Sequence, residues 1–418
     1  METRAMTPND SGSLRAFAED VVRRLRDAGH EALFAGGCVR DLLLGNAPKD
    51  FDVATSARPD EVRSLFRRTT AIGAAFGVIQ VRGGGNCVVE VATFRADGDY
   101  RDGRHPNSVR FTDAREDALR RDFTINGMFL DPIDDRVLDF VGGQEDLKGR
   151  LIRAIGTPER RFEEDKLRLL RAVRFAARLG FEIEPATLDA VRQMAPQLSV
   201  VSGERILMEL RALLESSGKS RGVEWLAEAN LAPVLFSETG AAAESRETFF
   251  RAARRVAGLP SNSPFAVAIA AIFHELGGPR AVDAAVKFFE RLKASNAERE
   301  LCSWLLSKLD GVARAPSESL AFRKRLYADA RWPWLCALAR INETSAEIDW
   351  CEHERARLKA EEINPPPLLT GDDLKRHGFV AGPAFKGWLE RVRDLQLNGD
   401  IASPSEAIEH VRRWSVTP

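Results

Sequence analysis

Two aspartates with one apolar residue between them, Asp50 and Asp52 in KDFDVAT, are the residues of this 418-residue chain best suited to hold divalent cations. On a strand, residues i and i+2 project from the same face. Asp50 and Asp52 are therefore expected to point together, with Phe51 and Val53 turned into a core. Such a pair can share two metal ions about 3.5–4 Å apart, the arrangement that serves in-line phosphoryl transfer. Mg²⁺ suits it, because that ion takes oxygen ligands and keeps substrate phosphates in its shell. Sites of this kind usually want a third carboxylate, and Glu90 in CVVEVATF is the candidate. An acid in so apolar a strand is costly unless paired or metal-bound. Glu90 is read as a third ligand or a base, with a purely structural role as the alternative. Just upstream, Gly36–Gly37 joins an apolar stretch to a short helix. Backbone amides without side chains in the way can meet a phosphate there, and Arg40, one turn on, can add a charge-assisted hydrogen bond. Taken singly, a DxD marks many exposed strands and a glycine pair marks many tight turns. Their succession in LFAGGCVRDLLLGNAPKDFDVAT is what points to metal-dependent chemistry on a nucleoside triphosphate.

A second group lies further on. Asp165, Arg168, Arg171 and Arg174 recur at three-residue steps, which lays them as a slowly rotating stripe along one side of a helix. Leu167, Leu170 and Ala177 take the neighbouring apolar face. Asp165 can accept and Arg168 can donate, so together they can present a base-like edge to a nucleotide. A solvated helix face with i,i+3 ion pairs is the competing reading.

The elements that must position these groups are legible in outline. Leu14, Phe17, Val21, Val22, Leu25 and Ala28 recur at helical spacing, and Gly29 reads as the helix stop. Glu31–Ala35 and Phe51–Thr55 read as strands, and Pro59 opens a helix that ends near Arg67. Gly77–Val81 and Cys87–Phe94 read as strands joined through Gly83-Gly84-Gly85-Asn86, a hairpin signal. From Arg160 onward the patterns are helical, and all seven tryptophans fall in that part. Loops are expected at Ser237–Arg246, Gly258–Pro264, Ala315–Ser319 and Ile363–Pro367. The fold class is α+β: a head with a small mixed sheet over residues 1–155, a helical neck over 156–217, a helical body over 218–330 and a helical tail over 331–418.

The succession GGCVRD, then DFDVAT, resembles the nucleotidyltransferase superfamily, and more narrowly the bacterial class II tRNA nucleotidyltransferases and poly(A) polymerases. RRDFTINGMF (Arg120–Phe129) looks like the family's ribose motif. DPIDDRVLDFVGGQEDL (Asp131–Leu147) looks like its head-to-neck connector, EEDKLRLLRAVRFAARLGF (Glu163–Phe181) like its base-selecting helix, and SGERILMEL (Ser202–Leu210) like the helix that buttresses it. These motifs stand in family order over about half of the chain. The resemblance implies a polymerase-β-like palm in the head and an elongated helical remainder. It implies Asp50 and Asp52 as metal ligands, with two Mg²⁺ expected, and Asp50, Asp52 and Glu90 as the catalytic carboxylates. It assigns Gly36, Gly37, Arg40, Arg121, Asp122, Asn126, Asp165, Arg168, Arg171 and Arg174 to the nucleotide. Asp122 and Asn126 could instead hold their loop through a buried network. Gly127 stands where many relatives carry alanine, a small departure.

Within the family, the polar segment Thr93–Phe111 matches a flexible loop that accompanies the switch from adding C to adding A. That favours CCA addition to the tRNA 3′ end from CTP and ATP. An A-adding enzyme working beside a CC-adding one, or a poly(A) polymerase, stays open. Leu368–Ile401 resembles the tail of such enzymes. There Thr370 with Asp373 can cap a helix. The amide of Gly382, with Lys375, Arg376 and Lys386, is the candidate RNA-binding surface, against a reading as ordinary surface charge.

Composition bounds the alternatives. An apolar fraction of 44% and a charged fraction of 29% are those of a globular protein. The 61 basic and 62 acidic groups cancel overall, so any RNA-binding face must be local. Five cysteines without a CxxC pair speak against a disulfide framework or zinc site and fit a reducing cytoplasm. METRAMTPNDSGS lacks an apolar signal region, and no run reaches the ~18 apolar residues of a membrane span. The expected partners are tRNA, CTP and ATP, with no membrane, for a monomer or homodimer. A non-catalytic RNA-binding relative would have no use for the intact carboxylate pair, and a small-molecule nucleotidyltransferase none for the long helical part. His274-Glu275 lacks the companion histidines a metal phosphohydrolase would need.

Overall fold

A strand buried along its whole length, β1 (Ala32–Ala35), runs through the middle of a seven-stranded mixed sheet. The structure is a computed structural model that describes residues 8–73, 77–98, 109–342 and 345–416. It divides into two units, Met1–Ser237 and Glu238–Pro418.

In the first unit, helix α1 (Pro8–Asp27) buries Leu14, Ala18, Val21, Val22 and Leu25, one stripe at helical spacing. Gly29, with φ 87, ends the run as expected of a glycine after a helix. After β1 come α2 (Gly37–Leu43), β2 (Asp52–Thr55), α3 (Pro59–Leu65), β3 (Thr69–Gly73), β4 (Val78–Arg82) and β5 (Val88–Thr93). Then follow β6 (Arg95–Asp97), β7 (Val109–Phe111), α4 (Ala114–Leu119), β8 (Phe129–Asp131), β9 (Arg136–Leu138) and α5 (Gly143–Gly149). The sheet order is β3-β4-β5-β2-β1-β8-β9. Only β2 and β5 pair in parallel; the other neighbours are antiparallel.

Leu33 and Ala35 join Ala54, Phe94, Ala114, Ala118 and Phe129 in one apolar cluster. Helix α1 packs on β1, β2 and β5. One hairpin glycine, Gly83, is set by that packing: a Cβ there would lie 2.7 Å from the Phe17 ring. Strand β3 was not expected, and β2 begins one residue later than the strand read from the sequence.

The rest of the unit is helical, apart from a two-stranded parallel pair, β10 (Leu151–Ile152) with β11 (Glu182–Ile183). Helix α6 (Pro158–Glu164) precedes α7 (Leu167–Leu179), then α8 (Pro185–Met194), α9 (Gly203–Leu214) and α10 (Lys219–Glu228). α7 packs against both α9 and α10.

The second unit is helical among the described residues. The helix Phe265–Gly277 is buried nearly all round. With the helix after it, it forms the one stretch among the described residues, Phe265–Arg291, that has the length and composition of a membrane span. That stretch breaks at Gly278, φ 48, and is mostly buried in protein. Toward the C-terminus Leu374, Val392, Ala407 and Val411 form a separate small core with Trp388 and Trp414 packed against it. The expected cap is present: the Asp373 amide donates to Thr370 Oγ1 over 3.3 Å, and the Thr370 amide to Asp373 Oδ2 over 2.7 Å.

Candidate active site

Strand pairing delivers three separate motifs to one end of the sheet. β1 and β2 are antiparallel with Phe34 opposite Val53, so the exit of β1 into Gly36–Gly37 lies beside the start of β2 at Asp52. β8 is antiparallel to β1 with Ala35 opposite Phe129, so the short turn Thr124–Asn126 before β8 arrives at the same end. The Gly36 amide donates to the Met128 carbonyl over 3.2 Å. A cleft of about 550 Å³ results. It is lined by Gly36, Gly37, Arg40, Asp50, Asp52, Arg121, Asp122, Asn126, Asp165, Arg168, Arg171 and Arg174, together with Lys49, Arg120, Arg178 and Arg205. Nine cationic side chains face five carboxylates around it, a surplus that favours a polyanionic ligand.

Gly36 has φ 73, and a Cβ there would stand 2.8 Å from Arg121 Nη1, so the turn tolerates only glycine without displacing that guanidinium. Helix α2 has seven residues, so a macrodipole counts for little, and any phosphate would be held by the amides of the turn and the surrounding cations. Arg40 is buried and already engaged. Its Nε donates to Asp41 Oδ1 over 2.8 Å and its Nη1 to Asn126 Oδ1 over 2.7 Å. Arg121 is anchored by Asp117, with Nη2 3.0 Å from Oδ2, and lies over the Phe129 ring.

The carboxylate pair is held differently. Asp50 is exposed in the turn before β2, so it does not share the strand with Asp52 as the spacing suggested. Phe51 and Val53 are buried as expected. Among the described residues neither aspartate side chain has a hydrogen-bond or ion-pair partner. Asp52 is half-buried, and burial, then Asp50, then Glu90, raise its carboxyl to about 6 against the lowering effect of Arg121. Like charges gathered without an ion-pair partner of their own, all hard acceptor oxygens, fit a divalent cation. Among the described residues no three His, Cys, Asp or Glu side chains are close enough to cage an ion by themselves. Substrate phosphates and water would complete the shell, which is how Mg²⁺ is commonly bound. The Cys38 thiol beneath is pushed up to about 12, chiefly by burial, and is unreactive.

Glu90 aligns with Asp52 across the parallel β2–β5 pair but is not among the residues lining the cleft. It is exposed, between buried Val89 and Val91, and accepts from Gln80 Nε2 over 3.1 Å. Its apolar neighbours point to the opposite face, so the expected cost of burying it does not arise.

The opposite wall is a lattice of arginine–carboxylate pairs. Asp122 is buried and accepts from Arg171 Nε and Nη2 at 2.9 and 2.7 Å and from Asn126 Nδ2 at 3.1 Å. Burial works against its charge, but Arg171, the Asn126 bond and Arg168 outweigh it and hold the carboxyl at about 2. Glu209 on α9, also buried, accepts from Arg171 Nη1 over 3.3 Å and from Arg174 Nε. The guanidinium groups of Arg40, Arg171 and Arg174 lie 5.2, 5.2 and 4.1 Å from the centre of the Phe175 ring.

The expected continuous helix Glu163–Phe181 is broken. Asp165 is extended, φ −148 and ψ 107, between α6 and α7. Its Oδ1 accepts from the Leu167 amide over 3.1 Å, a local bond that competes with the helix and starts a new one. Its Oδ2 accepts from Arg205 Nη2 over 2.7 Å. Arg168 donates to Glu164 Oε2 over 2.6 Å and to the carbonyls of Arg161 and Arg120. Glu164, Arg205 and Glu209 all fall inside motifs legible in the sequence. Each carried a local signal of opposite charges at i,i+4, Glu164 with Arg168 and Arg205 with Glu209.

Lys375, Arg376, Gly382 and Lys386 lie in the second unit and are exposed. Lys375 pairs with Asp372 and Arg376 with Asp373. Within Thr93–Phe111, residues 99–108 lie outside the described residues; the flanks, β6 and β7, pair antiparallel.

Comparison with known proteins bears on both units. Residues 32–153 match the family described as "Poly A polymerase head domain", and residues 180–242 match "Probable RNA and SrmB- binding site of polymerase A". A CCA-adding enzyme of Geobacillus stearothermophilus is 34% identical over 393 residues, 93% of this chain and 94% of that protein. One of Oceanobacillus iheyensis is 44% identical over 215 residues, 51% of this chain and 53% of that protein. Among solved structures, the Bacillus stearothermophilus CCA-adding enzyme in complex with CTP superposes with a TM-score of 0.81 at 29% identity. That match covers 99% of this chain and 100% of the other.

Proposed function

The chain belongs to the bacterial tRNA nucleotidyltransferase and poly(A) polymerase family, and from that premise we propose that it adds C, C and A to the 3′ end of tRNA. CTP and ATP are the donors and pyrophosphate is released. The observation that carries this reading is the convergence of one carboxylate pair, one glycine turn and one arginine helix on a single cationic cleft.

In the reaction the tRNA 3′-oxygen forms a bond to the α-phosphorus of the incoming nucleotide, and the bond from that phosphorus to the β-phosphate oxygen breaks. Asp50 and Asp52 hold divalent metal, two Mg²⁺ ions. Held there, the metal would supply the charge that lowers the pKa of the 3′-hydroxyl and screens the triphosphate. Glu90, beside Asp52 in the sheet but outside the cleft, adds negative charge to that side and so favours a bound cation. The amides of Gly36 and Gly37, with Arg40 and Arg121, receive the triphosphate. Asn126, oriented by Arg40 and Asp122, faces the ribose. Asp165 and Arg168 present an acceptor and a donor to the base, and Arg171 and Arg174 complete the nucleotide contacts. Asp122 remains ionised through the neutral range and keeps Arg171 in place. Residues 1–155, 156–217, 218–330 and 331–418 act as head, neck, body and tail. Exposed Lys375, Arg376 and Lys386 with Gly382 grip tRNA phosphates in a salt-sensitive, sequence-independent way.

The test is incubation with tRNA ending before CCA, after C and after CC, each with labelled CTP, ATP or both. Addition that completes CCA on all three and then stops is expected. Extension only of the CC-ending substrate would replace this reading with A addition, and long A tracts would replace it with poly(A) synthesis.

A further inference from the structure

Arg205 belongs to the helix behind the cleft, yet its guanidinium reaches into the cleft and ends on Asp165, the residue read above as the base acceptor. Asp165 sits in the break between α6 and α7 with an extended backbone, its carbonyl accepting from the Arg168 amide over 3.0 Å. Two bonds hold its carboxylate: Oδ1 to the Leu167 amide, 3.1 Å, and Oδ2 to Arg205 Nη2, 2.7 Å. The first ties one oxygen to its own helix start. The second ties the other oxygen to a different helix, α9. Together they fix rotation of the carboxylate and so the direction of its remaining lone pairs. Both groups are about four-fifths covered, 21% and 18% exposed, so water competes poorly for the pair. One turn further along α9, Glu209 holds Arg171 and Arg174. α9 thus carries one cation and one anion, each fastened to the recognition wall.

We propose that Arg205 is a specificity-determining positioning residue: it aims the Asp165 carboxylate and so sharpens the choice between CTP and ATP, without itself performing chemistry. The proposal rests on the reading of Asp165 as base acceptor. A hydrogen-bonding edge discriminates only while its direction is fixed, because a carboxylate free to turn can meet either base with a compromise geometry. Losing Arg205 should therefore cost selectivity more than turnover.

The experiment measures kcat/KM for CTP and for ATP on tRNA ending before CCA and on tRNA ending in CC. It compares the wild type, Arg205→Met, Arg205→Lys, Asp165→Ala and the double variant Arg205→Met with Asp165→Ala. Arg205→Met is expected to lower the ratio of correct to incorrect nucleotide about tenfold, the size of effect expected from one charge-assisted orienting bond. Turnover with the correct nucleotide should fall less than threefold. Arg205→Lys should recover part of the ratio. In the Asp165→Ala background the Arg205 substitution should change the ratio no further, since both act through one group. A uniform fall in turnover with an unchanged ratio, in both Arg205 variants, would overturn the proposal while leaving Asp165 as base reader if Asp165→Ala alone blurs the choice. An unchanged ratio in Asp165→Ala would overturn the base-reading assignment and this proposal together.

Discussion

The two walls of the cleft treat charge in opposite ways. On the sheet side, Asp50 and Asp52 stand near each other and near Glu90, without a hydrogen bond or ion pair from their side chains among the described residues, and Asp52 is raised to about 6. On the helix side, each of Arg168, Arg171 and Arg174 is fastened to Glu164, Asp122 or Glu209, and Asp122 is held at about 2. The first wall stores repulsion that a cation would relieve. The second has already satisfied its charges within the protein and can present donors and acceptors in fixed directions. The difference teaches where each wall gets its specificity: one from an ion it lacks partners for, the other from partners it already has.

The sharpest way to break this comparison is to neutralise one charge on the sheet side. Asp52→Asn should lower nucleotide addition roughly a thousandfold or more, because the metal's charge stabilisation is worth several kcal/mol. Stability without metal should not fall, since the substitution removes one of several like charges and no bonded partner. tRNA binding should change little. Thermal unfolding in chelator, filter binding and single-turnover addition measure the three. A large loss of stability in Asp52→Asn would mean that its charge is paired after all, and the contrast between the walls would fail.

The same contrast explains what could be read from the chain before folding. The glycine turn, the aspartate pair and the hairpin are local patterns, and a strand period of two or a glycine with positive φ is written in adjacent residues. The arginine stripe was also legible, down to its three-residue step. Its distant partners were not. Asp122 is 49 residues from Arg171, and Glu209 is 35 from Arg174, so only the packing of α7 on α9 and on the Asp122 turn brings them together. The helix break at Asp165 was hidden for another reason. No glycine or proline marks it, and the charged run Glu163–Lys166 suits an exposed helix turn as well as a break, which the bond from the Leu167 amide to the Asp165 side chain accompanies. Strand β3 was missed although Thr69, Thr70 and Ile72 are β-branched: Thr69–Gly73 is short and shows no apolar–polar alternation, and its pairing with β4 defines it. Glu90 was misjudged on energy. Its neighbours in the chain are apolar, but in a strand they occupy the other face.

On the helix side the expected effect is on stability before chemistry. Glu209→Ala removes the only carboxylate bonded to Arg174 among the described pairs and one of two on Arg171. Breaking a buried pair leaves an uncompensated charge, a loss of roughly 3 kcal/mol or more. Hydrogen exchange along α7 and α9 should accelerate in this variant and stay near wild-type in Asp52→Asn. Equal protection in the two variants would show that Glu209 contributes no more to the helical wall than Asp52 does to the sheet.

Asp122 gives the contrast a pH signature. Its carboxyl is depressed to about 2 in the folded protein, from an ordinary value near 3.9. A depressed acid stabilises the fold above its unfolded pKa, and that contribution is lost as pH falls through the window between the two values. The shift corresponds to about 2.5 kcal/mol. The stability gap between wild type and Asp122→Asn should therefore stay constant from about pH 7 to 5 and shrink to about half of its pH-dependent part by pH 3. Urea unfolding across that range measures it. Buried Asp122 meets Arg171 through two bonds, so the gap should also resist salt, unlike that of an exposed pair. A gap that is flat down to pH 3 would mean that the Asp122 carboxyl is not depressed, and the helix side would then owe its order to packing around Phe175 instead of to its charges.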